Sequence, residues 1–527
     1  MSMCFNSPDG PLNRGDDSTF VNAVRREVID LTLCSGEIEP YLRKWRVSKE
    51  TSLSDHRCIK FEWHSERSTA KPYRNPRHTN WEHYRTVLAR ELSNLDLKYK
   101  SAAELEGSVE LVGQAIRLAY ESSCNLKVPK GKQSAPWWSR ELQEQRAEVR
   151  RAFNRANFTK KEQDWEAHAD LQRRYKYSVL AAQKKGWQDY CEGIESYPEA
   201  ARLNRILAGK PGGWLEAVRL PNGEYAESEE ECLKLLLETH YPGFREEEEE
   251  TRHRNRRATK TSWEMARKIF TPERVRWAVA NLAPYKAPGV DGVYPVLLQE
   301  GIELLIGPLT NMFRSSLALG HVPEAWRIAR AVFIPKAGRP SHVGVKDYRP
   351  ISLTSFVLKT METCIDWFIK DEVLRRNPLH SNQYAYREGV SAETALHAFV
   401  SRIEAQLERG NYAVAVFMDV EGAFSHTSPH IICEEAASRG VPRPIVDWML
   451  DLLGARRITS TLGSYRCTGT VSMGTPQGGV TSPVDWDLVA DRLLRLLNGE
   501  GCYAQAYADE FAAVTGSSYL GTAVNLM

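Results

Sequence analysis

Three acidic side chains stand where the sequence could place chemistry. Asp419 closes the stretch 411–420 (NYAVAVFMDV), which is apolar from Val414 to Met418. Asp509 and Glu510 lie within 502–514 (CYAQAYADEFAAV), flanked on both sides by small and apolar residues. The first stretch reads as a strand buried on both faces, because only such a strand tolerates a continuous apolar run. The second reads as strand, tight turn, strand, with Asp509 and Glu510 at the bend. If the two neighbour each other, backbones about 4.8 Å apart bring three carboxylates to one sheet edge. Clustered carboxylates repel unless protonated or bound to cations. Oxygen-only ligands suit Mg²⁺, with Mn²⁺ as an alternative, and Mg²⁺ commonly shares substrate phosphates. A metal pair about 3.5–4 Å apart clamps the attacking and leaving oxygens of an in-line phosphoryl displacement. Nucleotidyl transfer follows from this set, and on these residues alone a phosphatase or nuclease stays open.

The elements that must position the acids are also legible. Ser428-Pro429 is a capping residue followed by proline at the first helical position, and Gly440 stops that helix. A second helix carries Ile445, Val446, Met449 and Leu453 on one stripe. A hairpin is expected around Leu462-Gly463-Ser464, then the loop 474–479 (GTPQGG). Ser482-Pro483 repeats the cap signal ahead of a helix with Trp486, Val489, Leu493 and Leu497 on one face, ended by Asn498-Gly499.

With 527 residues, 42% hydrophobic and 26% charged, the chain has the composition of a globular protein of roughly three domains. Collagenous, disulfide-scaffold and wholly disordered classes are excluded. Lys plus Arg number 70 against 68 acidic residues, so any nucleic-acid argument must rest on local patches. The ten cysteines are dispersed without a C-x-x-C pair, which predicts reduced thiols in an intracellular protein and argues against a zinc finger. No apolar run reaches the roughly 18 residues of a membrane span. Texture divides the chain into 1–66, mixed and strand-like; 67–262, polar, helical and locally basic; and 263–527, a mixed α and β domain. Within the middle stretch, residues 136–187 concentrate Arg and Lys among Trp residues; a solvated helical pair and a phosphate-binding face are the two readings. The acidic run 246–250 followed by basic residues to Lys260 predicts an exposed linker at the last boundary.

Several segments occur in an order that resembles the reverse transcriptases of non-LTR (LINE-type) retrotransposons, with a Jockey-like flavour. They are 286–292 (KAPGVDG), 334–336 (IPK), 347–353 (DYRPISL), 417–424 (FMDVEGAF), 476–479 (PQGG) and 507–510 (YADE). The resemblance implies an α+β right-hand polymerase with fingers and palm. It assigns Asp419 and Asp509 to the metals, with Glu510 where the family has a second aspartate. Lys336 and Arg349 would meet the incoming triphosphate, Phe424 would exclude a 2′-hydroxyl, and Gln477 would lie near the template–nucleotide pair. The implied partners are an RNA template, a DNA primer or target and deoxynucleoside triphosphates, with no membrane, no protein partner specified, and nuclear and cytoplasmic residence.

Residues 27–33 (EVIDLTL) and Ser54-Asp55-His56 resemble the end of the endonuclease domain of the same elements. The resemblance implies a partial endonuclease/exonuclease/phosphatase-type α/β sandwich, in which Asp30 orients His56 near a scissile phosphate, Asp55 beside it. Its upstream metal-holding residues have no counterpart, so no nicking is expected. The chain stops at Met527, soon after 507–510, so no thumb is expected. Glu510 for Asp, Ser425 after Ala-Phe and Thr481 after PQGGV depart from the family, and the expectation is a fragment or decayed copy. Besides the polymerase, a non-catalytic nucleic-acid-binding remnant and a metal-dependent endonuclease are the alternatives.

Overall fold

The computed structural model describes residues 10–11, 13, 16–34, 39–48, 54–63, 72–127, 135, 137–192, 218–246, 258–336, 342–454, 456–499 and 502–526. Most of the predicted charged linker, from 247 to 257, lies outside the described residues. Two compact units form, one from 1–73 and 127–212, the other from 74–126 and 213–527.

In the first unit, Leu42–Val47 pairs antiparallel with Ile59–Trp63 across a register shift between Arg43 and Arg46. Two further strand pairs, each two residues long, complete its β structure. Among the described residues this unit has no sheet wider than two strands; the resemblance implies part of a two-layer sandwich. Apolar side chains that would line such a sandwich, Val28, Ile29 and Leu31, are exposed. The basic stretch forms a helical hairpin, Arg140–Thr159 and Glu162–Glu192. Ser139 caps it by accepting from the Leu142 amide, and Lys160 turns the corner at φ +55°. Leu142, Val149, Tyr175 and Val179 fill the seam.

The second unit contains α1 (Trp81–Ser93), α2 (Ala102–Ser123), α3 (Glu229–His240), α4 (Lys260–Ile269), α5 (Pro272–Ala280) and α6 (Ile302–Leu319). There follow β1 (Ile328–Pro335), β2 (Tyr348–Leu353), α7 (Phe356–Phe368), α8 (Ala392–Glu408) and β3 (Tyr412–Asp419). Then come α9 (Pro429–Ser438), α10 (Arg443–Gly454), β4 (Arg456–Leu462), β5 (Tyr465–Val471), α11 (Ser482–Gly499), β6 (Tyr503–Tyr507) and β7 (Glu510–Ser517). One core holds Leu88, Ile116, Phe313, Ile365 and Trp448 together, so α1 and α2 pack with the C-terminal elements. Tyr84 Oη donates to the Leu297 carbonyl at 2.9 Å, 213 residues away. Helices of the middle stretch thus divide between the two compact units, because they bury their apolar faces in two different places.

Two sheets carry the site. In the first, β2, β1, β4 and β5 lie in that order, β1 parallel to β4 and the other pairs antiparallel, with the short strand Arg245–Glu246 at its edge. In the second, β3, β7 and β6 are antiparallel. β3 is an edge strand, not the doubly buried strand expected: Phe417 is 73% exposed, although its ring also lies 5.2 Å from that of Phe399 on α8. The helix after Ser482 also presents a rotated face. Trp486, Ala490 and Leu494 are buried together with Asp485, Asp487 and Asp491, while Leu493 is exposed. Among the described residues no helix is long and apolar enough to cross a membrane.

Candidate active site

The register of the second sheet sets the acids. Asp419 is the cross-strand partner of Glu510, and Tyr507 pairs with Glu510 across the β6–β7 hairpin. The bend therefore consists of Ala508 and Asp509, one residue earlier than the sequence suggests, and Glu510 is the first residue of β7. Only Ala508 of the two has positive φ, +56°, the pattern of a type II′ hairpin turn that favours glycine at this position. The Val420 amide donates to the Asp509 carbonyl at 3.0 Å and ties the turn to the end of β3.

This register distributes the three carboxylates over two spaces. Asp419 and Asp509 line one cleft of about 290 Å³. Glu510 lines a second cavity, with Phe417, Leu396 and Asp419. Asp419 lines both spaces, so it meets Asp509 in one and its cross-strand partner Glu510 in the other. Among the described residues no three metal-ligating side chains gather.

Lys336, Arg349, Phe424 and Gln477 all line the cleft that holds Asp419 and Asp509. Lys336 lies just beyond β1, and Arg349 in β2 is paired with Ile334. The Lys336 amide donates to the Asp347 carbonyl at 2.8 Å, so the base of this hairpin brings both cations to the same wall. Gln477 is held from β2, its carbonyl accepting from the Ser352 amide at 2.9 Å, while its buried side-chain Oε1 has no hydrogen-bond partner. Its loop is sewn onto the turn after β3: the Gly474 amide donates to Thr427 O and the Thr475 amide to Phe424 O, both at 2.7 Å. Gly474 has φ +75°, and a Cβ there would meet the carbonyl oxygens of Phe424 and Ser425 at 2.5 Å.

Other groups in the cleft escaped the sequence reading. Lys346 Nζ meets Glu421 Oε1 at 2.5 Å, and this hydrogen bond holds the Glu421 carboxyl below its usual range. Arg456 is buried beneath the cleft and donates to the carbonyls of Met473 and Gly474, which fixes the same loop. Burial pushes its guanidinium down to about 10. An arginine in sequence reads as surface, so nothing local marked it. Tyr386, held at φ +56°, sets its ring edge-on to Phe424 at 6.4 Å.

In the first unit, His56 Nδ1 lies 3.0 Å from both carboxylate oxygens of Asp30, as expected for an oriented imidazole. That contact lowers the Asp30 pKa. Asp55 is not part of the pair; it lines a separate cavity with Arg57, Trp165 and His168.

Comparison with known proteins meets this geometry at the same residues. The family described as reverse transcriptase (RNA-dependent DNA polymerase) matches 334–520. The chain carries a reverse transcriptase domain. It is 27% identical over 312 residues to a probable RNA-directed DNA polymerase from transposon BS of Drosophila melanogaster, covering 57% of this chain and 34% of that protein. It is 22% identical over 506 residues to a retrovirus-related Pol polyprotein from the type-1 retrotransposable element R1 of Bradysia coprophila, covering 93% and 49%. It is 28% identical over 260 residues to the RNA-directed DNA polymerase from mobile element jockey of Drosophila melanogaster, covering 47% and 27%. The chain thus spans at most about half the length of these relatives, and its kinship is with non-LTR retrotransposon polymerases. The fingers-and-palm reading of the two sheets follows from the reverse transcriptase domain. Such enzymes depend on divalent metal, and the donor set fits one. Two carboxylates opening on a cleft that also presents cations for phosphate are what a hard cation shared with substrate requires.

Proposed function

We propose that the chain is an RNA-directed DNA polymerase that extends a primer 3′-hydroxyl on an RNA template with deoxynucleoside triphosphates. The observation that carries this is the single cleft lined by Asp419, Asp509, Lys336, Arg349, Phe424 and Gln477. Asp419 and Asp509 would hold Mg²⁺, which neutralises phosphate charge and lowers the pKa of a bound hydroxyl. Lys336 and Arg349 bind the triphosphate and stabilise the charge that develops on departing pyrophosphate. Arg349 offers a planar fork and Lys336 a mobile point charge, a complementary pair for adjacent phosphates. Phe424, fixed through its carbonyl, supplies a wall against which a 2′-hydroxyl would clash. Gln477 lines the cleft and its buried amide oxygen has no hydrogen-bond partner, so a base or sugar donor would satisfy it. Glu510 would act from the neighbouring cavity, which it lines together with Asp419.

We further propose that residues 1–66 derive from the endonuclease of such elements, on the strength of the Asp30–His56 contact. The test of the main reading is extension of oligo(dT) on poly(rA) by the whole chain. Incorporation that requires Asp419 supports it. RNA binding that weakens with salt, without incorporation, would favour a non-catalytic binding protein instead.

A further inference from the structure

Trp486 occupies an unusual junction. It lies in the second turn of α11, 6% exposed, and its indole N–H donates to the carbonyl of Ala508 at 2.8 Å. Ala508 is the residue of the β6–β7 turn forced to positive φ, and the carbonyl so held belongs to the peptide that precedes Asp509. Fixing that peptide plane fixes the direction in which Asp509 leaves the turn. The same indole packs against the ring of Phe424, centroids 6.1 Å apart and planes inclined by 34°. Tyr386 closes the other side of Phe424, so the ring is bracketed between two aromatic groups. The start of α11 is itself anchored to the Gln477 loop, because Ser482 Oγ donates to the Pro476 carbonyl at 2.8 Å.

We propose that Trp486 is a positioning residue that couples two functions of the cleft, the Asp509 turn through its N–H and the Phe424 wall through its ring. The inference rests on the polymerase reading and goes beyond it by naming what sets the geometry of both groups. A core-filling role needs only the apolar bulk of the side chain. The hydrogen bond goes instead to the carbonyl of Ala508, the turn residue that is held at positive φ. Loss of the N–H should loosen the turn and leave the wall in place. Loss of the ring should loosen both.

The test separates these effects with readouts that need no turnover. Trp486→Phe keeps an aromatic ring and removes the donor; β-(3-benzothienyl)alanine at 486 removes the donor with almost no change of shape, and guards against a packing defect. For either variant, amide exchange across 507–510 should quicken, and Mn²⁺ affinity, read as free Mn²⁺ by EPR, should fall about 3- to 10-fold, the equivalent of one ordinary hydrogen bond. In primer extension, kcat should fall by a similar factor with KM for deoxynucleotide within about twofold, and discrimination against ribonucleotides should hold. Trp486→Ala should in addition relax that discrimination. Mn²⁺ affinity and exchange equal to the parent in both donor-free variants would overturn the inference. Asp419→Asn serves as reference: Mn²⁺ binding indifferent to Asp419 would overturn the polymerase reading itself, a failure distinguishable from that of Trp486.

Discussion

Asp419 and Glu510 are cross-strand partners that line one cavity, while Asp419 and Asp509, at the bend just before Glu510, line the cleft that also holds Lys336 and Arg349. Asp509 belongs to the two-residue turn and Glu510 opens the strand after it, so the two adjacent acids are carried by different backbone. The glutamate in place of an aspartate falls at the position the cleft does not use.

The two cations of the cleft should act on substrate rather than on folding. Arg349→Ala and Lys336→Ala are each expected to raise KM for deoxynucleotide by about 10- to 100-fold, as loss of a charge-assisted contact does. Arg349→Lys should recover only part of the loss, because an ammonium lacks the planar fork. Thermal melts should coincide with the parent. Steady-state kinetics with one nucleotide varied checks this, and an unchanged KM in both alanine variants would contradict it.

Much of this architecture was legible because its signals are local. The hairpin at Gly463, the loop of 474–479, the helix ending before Gly440 and the strand–turn–strand of 503–517 all depend on residues a few positions apart. What the sequence could not convey depends on distant contacts or on a one-residue register. A bend at 508–509 rather than 509–510 decides which acid faces the cleft, and a single-residue shift reverses every side chain. The apolar run of β3 suggested burial on both faces, but only the neighbours in the sheet determine that it lies at an edge. Arg456 and Asp485, charged in the sequence, are buried by packing that no local pattern announces. Helices α1 and α2 join the core of the second unit through contacts such as Tyr84 to Leu297, more than two hundred residues apart.

Gly474 should tolerate no side chain. Gly474→Ala combines left-handed backbone with a Cβ pressed on two carbonyls. It is expected to destabilise the chain by about 2–3 kcal/mol. Urea unfolding at neutral pH measures this, and a midpoint equal to the parent would show that the loop is not held as described.

Asp485 is buried with no hydrogen-bond partner for either carboxylate oxygen. Burial first, and then the nearby Glu362, raise its pKa well above the carboxylate range. Asp485→Leu should therefore stabilise the chain, by about 1–3 kcal/mol, because an unsatisfied buried polar group is removed. A lower urea midpoint for this variant at pH 7.5 would show that the carboxylate has a compensating partner.

The same region makes stability depend on pH. Burial pushes Glu362 and Asp487 up to about 7, whereas unfolded carboxylates titrate near 4. Between these values the folded chain holds protons that the unfolded chain has released. Stability from these groups is thus full below about pH 4 and is lost as pH rises through about 7. Urea midpoints at constant ionic strength should fall from pH 5 to pH 8, and Glu362→Gln should flatten the profile. A Glu362→Gln profile as steep as that of the parent would contradict the assignment to Glu362.

The most direct test compares three variants of the whole chain, Asp419→Asn, Asp509→Asn and Glu510→Gln, in primer extension on an RNA template. A cleft built on Asp419 and Asp509 predicts losses of about 10³-fold or more for the first two, an effect of the size seen when a key electrostatic group is removed. Glu510→Gln should stay within about tenfold of the parent. Incorporation that survives in Asp419→Asn, or that fails in Glu510→Gln as completely as in Asp509→Asn, would contradict the division of the acids between two cavities.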